Sequence, residues 1–153
     1  MRDNKYLENL LYDIWENYFC DVPRLNIVAI KYGKYSKRQL GSIKMIKDER
    51  TFNRYLKRLE IQKQELEDYT VSLITLTKYF SQDFIPEYVI KSTIVHELCH
   101  YTHGFNSPLD KIYKHPHRGN VIKKEFEKRE LLPVYKDSKK WLKENWVKIV
   151  STI

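Results

Sequence analysis

The segment His96-Glu97-Leu98-Cys99-His100 holds the residue types and spacing best suited to chemistry. On a helix, residues i and i+4 carry their β-carbons about 5–6 Å apart on one face. Two imidazoles at that spacing can both reach one ion at about 2.0–2.1 Å. A helical H-E-x-x-H is thus a kit for holding Zn²⁺ with a carboxylate beside it. Zinc lowers the pKa of a bound water to about 7 and polarises a carbonyl as a Lewis acid. Glu97 is the catalytic residue in this reading: it takes the proton of the metal-activated water and returns it to the leaving amine. The reaction so indicated is peptide-bond hydrolysis.

A catalytic zinc site needs three protein ligands and an open position. All five histidines lie between residues 96 and 117, so His103, His115 and His117 are the candidates for the third place. His103 follows His100 by three residues and points to another side of the helix. His115 and His117 flank Pro116, which makes that stretch extended and stiff. A helix is expected from about His117 to Leu131, and a ligand at its start is well anchored. His96, His100 and His117 are therefore read as the metal ligands, with His115 as the alternative third ligand. The metzincin pattern requires Gly three and His six residues after the second His; His103 and Asn106 stand there, which excludes it. Tyr101, Tyr113 and Arg118 are candidates for stabilising an oxyanion.

These residues need elements to position them. Leu7, Leu10, Leu11, Ile14, Trp15, Tyr18 and Phe19 recur at helical spacing, which predicts an amphipathic helix over 4–19. Leu25–Lys31 and Leu40–Ile46 read as two strands of a hairpin joined through a basic turn. Thr51 opens a helix over 51–60, and Thr70–Thr77 is the clearest strand. Pro86 opens the zinc-motif helix, from about Glu87 to Thr102, with Ile90, Ile94, Leu98 and Tyr101 on its core face. Pro133 reads as the end of the next helix, and Ser138 as the cap of a last one bearing Trp141, Leu142, Trp146, Ile149 and Val150. Strands and helices mix without βαβ alternation, so the fold class is α+β. The whole chain, 1–153, reads as one domain.

The stretch Ser92-Thr93-Ile94-Val95-His96-Glu97-Leu98-Cys99-His100, followed by His115-Pro116-His117-Arg118-Gly119-Asn120-Val121, resembles the SprT/Spartan-like metalloprotease family. That family pairs an H-E-x-x-H helix with a third His heading a later helix, often as H-G-x-x-F. His117 matches the His and Val121 the Phe; Arg118 stands for the usual Gly, with Gly119 one place later. Leu40-Gly41-Ser42-Ile43 and Ile85-Pro86-Glu87-Tyr88-Val89-Ile90 resemble the strand and the proline-led helix start of these proteins. The likeness covers roughly residues 5–131. It implies a small zincin-like domain with a short, mostly antiparallel sheet, a single catalytic Zn²⁺, a protein or peptide substrate and, in several branches, proteolysis of proteins on DNA. Many members carry a C-terminal four-cysteine ribbon; here the residues after Pro133 read instead as a basic helix over about 138–150.

Composition narrows the classes. Cys20 and Cys99 are the only cysteines, too few for a zinc ribbon, so any metal falls to histidines and carboxylates. No apolar run approaches the roughly 18 residues that span a bilayer. The first residues hold no signal-peptide core, which reads as cytoplasmic with no membrane partner. A net charge of +8 favours a polyanionic partner. Lys31, Lys34, Lys37, Arg38, Lys44 and Lys47 fall together without an acid among them, interleaved with Tyr32 and Tyr35. Such a stretch can track phosphates and stack bases, so it is the expected contact for DNA, particularly single-stranded. Two other readings stand beside the protease: a non-catalytic zinc-stabilised binding module, and a regulatory protease specific for a repressor-like protein.

Overall fold

A computed structural model of the chain describes residues 1–152. Eight main elements follow in order: α1 (Asn4–Tyr18), β1 (Ile27–Tyr32), β2 (Gly41–Ile46), α2 (Glu49–Arg58), β3 (Val71–Leu76), α3 (Glu87–Thr102), α4 (Val121–Lys128) and α5 (Leu132–Thr152). The class is α+β, with five helices around a three-stranded sheet. Among the described residues, no helix is long and apolar enough to cross a membrane.

The sheet order is β1-β3-β2, with β1 parallel to β3 and β2 antiparallel to it. The expected hairpin of β1 and β2 does not form, and the sheet is mixed rather than mostly antiparallel. The physical reason is burial. β3 is apolar toward both faces, and nearly every residue in it is buried, so it takes the centre. β1 and β2 carry Lys31 and Lys44 outward and occupy the edges.

The pleat divides the core in two. Ile30, Tyr32, Ile43, Ile74 and Leu76 face α1 and α3 in the main cluster. Ile27, Ala29, Val71 and Leu73 face the other way, onto Phe52 and Tyr55 of α2. The cap of α2 is Asp48, whose carboxylate accepts from the backbone N–H and hydroxyl of Thr51. The helix therefore starts two residues before Thr51.

α3 runs through the middle of the molecule and is buried on most of its surface, including Val89, Ile90, Ile94, Val95, Leu98 and Tyr101. Its sequence contains no Gly or Pro between Glu87 and Thr102, and Glu87 favours the positive end of the helix dipole. It stops in a Schellman motif: the Gly104 N–H donates to the Tyr101 carbonyl (3.1 Å) and the Phe105 N–H to the His100 carbonyl (2.9 Å). Gly104 has φ +87°, and a β-carbon there would lie 2.4 Å from the Asp110 carbonyl oxygen. Gly104→Ala should therefore cost about 3 kcal/mol, from left-handed strain plus overpacking. A denaturant midpoint unchanged from wild type would contradict this.

The last two helices differ from their sequence expectation. After His117 a short 3-10 turn, Arg118–Asn120, leads into α4; Gly119 and Asn120 both take positive φ, 78° and 56°. α4 ends at Lys128, before Pro133. Pro133 lies inside the first turn of α5, where its missing N–H needs no partner. Ser138 is accordingly buried within α5 rather than capping it. Trp141, Leu142, Trp146 and Ile149 pack on the main core. Trp146 also donates from Nε1 to the Lys37 carbonyl (2.8 Å), which ties α5 to the β1–β2 connection.

Candidate metal centre

His96 and His100 stand one turn apart on α3, and His117 ends the segment that returns over that helix. A ring nitrogen from each lies within 4.8 Å of the others. The Nε2 atoms of His96 and His117 are 3.3 Å apart. Ligands about 2.05 Å from a tetrahedral ion are separated by about 3.3–3.4 Å, so this pair already has the edge length of a zinc site. The Nδ1 atom of His100 is buried without a hydrogen-bond partner, and this ring is held by packing. Phe105, brought back by the Schellman turn, packs edge-on to it at 6.2 Å.

Electrostatics favour the form that binds metal. Burial first, then the neighbouring His117 and Lys139, lower the His96 pKa from its usual value to about 4. Burial, followed by His96 and His117, takes His100 down to about 3. Both rings are neutral near pH 7, as ligation requires. Three imidazoles, with no fourth protein donor grouped with them among the described residues, suit zinc with an open position, so the residues fit that ion.

The same shifts set a pH dependence. Both folded-state pKa values lie below the unfolded value of about 6.5. The unfolded chain therefore takes up protons that the metal-free folded chain refuses as pH falls below about 6.5, and stability drops until the folded pKa values are reached. The slope is about 1.4 kcal/mol per pH unit for each histidine. Between pH 7 and 5 the two histidines should together remove about 4 kcal/mol, whereas Glu97, whose raised pKa works in the opposite sense, should return about 2 kcal/mol. In denaturant titrations the metal-free Glu97→Gln variant should therefore show the full loss and wild type about half of it. A flat profile in Glu97→Gln would show that the histidines are not held neutral.

Glu97 is 5 % exposed, and that burial raises its pKa to about 7. Its neighbour across the cleft is Gly41, the first residue of β2. A β-carbon on Gly41 would meet Thr93 Cγ2 at 2.8 Å and Glu97 Oε1 at 3.4 Å, so glycine lets the strand approach α3 closely. Two cavities flank Glu97 and His96. One, of about 290 Å³, lies among Ser42, Ile43, His100, Phe105 and His117. The other, of about 330 Å³, lies toward Arg38, Phe126, Ser138 and Lys139.

Other expected site residues lie elsewhere. His115 is half-buried and is not in the converging group. Tyr101 is fully buried and its hydroxyl donates to Asn26 Oδ1 (2.8 Å), on the far side of α3 from the histidines. Tyr113 stacks edge-on against His103 (4.7 Å), and Arg118 is exposed. None of these three lines either cavity beside Glu97. Lys31, Lys34, Lys37, Arg38, Lys44 and Lys47 are all exposed. Tyr32 is buried, however, with its hydroxyl toward the Phe80 carbonyl, so it is unavailable for stacking on a base.

Three contributors carry weaker sequence signals. Phe105 walls His100, and the Gly-Phe pair just after the helix is the mark of its turn. Lys139 and Ser138 reach the site from α5, which only the tertiary packing of that helix could place there. The third is a buried chain. His103 Nε2 meets Glu125 Oε1 at 2.8 Å, and Arg129 Nε donates to Glu125 Oε2 at 2.8 Å. The i, i+4 spacing of Glu125 and Arg129 is its visible sign.

In comparisons with known proteins, no family model, no curated protein and no solved structure matches the chain.

Proposed function

We propose that this chain is a zinc-dependent metallopeptidase of SprT/Spartan-like, zincin type, with His96, His100 and His117 as its metal ligands and Glu97 as its acid/base. The observation that carries the reading is the convergence of three histidine ring nitrogens next to a buried carboxylate. Zinc in this site would supply Lewis-acid polarisation of the scissile carbonyl and a more acidic attacking water. Glu97 would accept a proton from that water as its oxygen bonds to the carbonyl carbon. The same carboxyl would then give the proton to the nitrogen as the C–N bond breaks, leaving a new carboxyl and a free amine. β2 is an edge strand, paired only with β3 among the described residues. A substrate backbone added along Gly41–Ile43 would be held by main-chain hydrogen bonds across the cleft.

The test joins metal analysis to cleavage. Wild type should bind one zinc per chain, and His96→Ala should lose it. A casein-like substrate should be cut by the zinc-loaded protein, with and without single-stranded DNA. Zinc without cleavage would leave the non-catalytic module. Cleavage stimulated by DNA would favour DNA-associated proteins as substrates, a reading supported by the six exposed cations of residues 31–47.

A further inference from the structure

We propose that the cavity between β2, α3 and α5 is a substrate subsite that selects an acidic side chain immediately to one side of the scissile bond. This rests on the peptidase reading and adds the substrate class.

The cavity shares Gln39, Gly41, His96 and Glu97 with its neighbour on the other side, so the two form one cleft divided at the proposed reacting residues. Their charges differ. The larger half brings in Arg38 from the β1–β2 connection and Lys139 from α5, whereas the smaller half adds Phe105, Asn106 and Pro116 and no Lys or Arg. Among the described residues, neither Arg38 nor Lys139 forms an ion pair. Lys139 is held over the Tyr135 ring, 4.9 Å from its centroid. The wall of this cavity includes the apolar Leu40, Phe126 and Leu142, beside the hydroxyls of Ser92, Thr93 and Ser138. A short apolar stem ending in a carboxylate matches that lining: methylenes against the wall, oxygens between guanidinium and ammonium. A lysine or arginine there would meet two like charges, which repels the wrong substrate as well as attracting the right one. The volume of about 330 Å³ admits one side chain of that size with solvent.

The test uses hexapeptides that carry Glu, Ala or Lys at the positions flanking one scissile bond. Zinc-loaded wild type should cut the Glu peptide at least tenfold faster in kcat/KM than the Lys peptide, with the preference confined to one side of the bond. Lys139→Glu and Arg38→Glu, both at exposed positions, should each shrink that ratio about tenfold, and the double variant should reverse it. Binding is read separately, by fluorescence anisotropy of labelled peptides on zinc-loaded Glu97→Gln. There too the Glu peptide should bind more tightly than the Lys peptide, and the difference should vanish in the charge reversals. Preferential binding without wild-type cleavage would keep the subsite and sink the peptidase. Cleavage without preference would do the opposite. Loss of single-stranded DNA binding in Lys139→Glu, with no peptide preference in wild type, would assign the cations to phosphates and overturn the subsite.

Discussion

Glu97→Gln should leave zinc binding intact and reduce peptide cleavage by at least about a thousandfold, within the range expected for removing a positioned acid/base. Gln keeps the shape and the hydrogen-bonding reach of the side chain but cannot accept and pass on a proton. The carboxyl is 5 % exposed and Gly41 lies close beside it, so an isosteric change disturbs the packing least. Burial places its pKa near 7, where a group can both take and return a proton at neutral pH. A cation at the adjacent histidines would draw it toward the charged form. The measurement is kcat/KM on a casein-like substrate, with zinc content determined on the same samples. Activity within tenfold of wild type would remove Glu97 from the chemistry. Equal loss of zinc and activity would make it a structural neighbour of the ligands instead.

That prediction draws on the part of the molecule most legible in sequence. An i, i+4 pair of histidines on an uninterrupted helical stretch is a local fact, and helix geometry alone fixes its separation. His117 was readable because Pro116 stiffens its approach and Val121, Ile122 and Phe126 announce a helix after it. The strand pairing was not readable from local pattern. β1 and β2 are neighbours in sequence, and only the burial of β3 on both faces puts it between them. Proline caused the shift at the C-terminal end: Pro133 can close one helix or open the next, and here the chain turns at Arg129–Leu131, with Glu130 at φ 62°, before it. Tyr101 shows the limit of proximity in sequence. It follows His100 directly, yet one residue is about 100° around a helix, which turns it to Asn26 and away from the converging histidines.

Glu125→Ala should destabilise the fold by about 3–5 kcal/mol, the cost of breaking a buried charge network by removing one partner. Glu125 lies between His103, whose side chain has no exposure, and Arg129, whose side chain is 4 % exposed. Arg129 continues the chain to Asp21 at 2.7 Å and to the Tyr18 carbonyl at 2.6 Å, with its guanidinium 4.0 Å over the Phe19 ring. The hydrogen bond from His103 holds the Glu125 carboxyl below its ordinary pKa against the opposing effect of burial. The guanidinium hydrogen bond does the same for Asp21. His103 caps the helix that carries His96 and His100, Glu125 belongs to the helix that follows His117, and Tyr18 closes α1. One network therefore ties the end of α1 to α3 and α4, the helices on either side of His117 in the chain, although none of its members is a candidate ligand. The double change Glu125→Met with Arg129→Met removes both buried charges, so it should be markedly less damaging than Glu125→Ala alone. Denaturant unfolding of the metal-free proteins separates the cases. If the double variant falls as far as the single one, packing rather than an orphaned charge accounts for the loss; if Glu125→Ala costs under about 1 kcal/mol, the network does not hold these helices together.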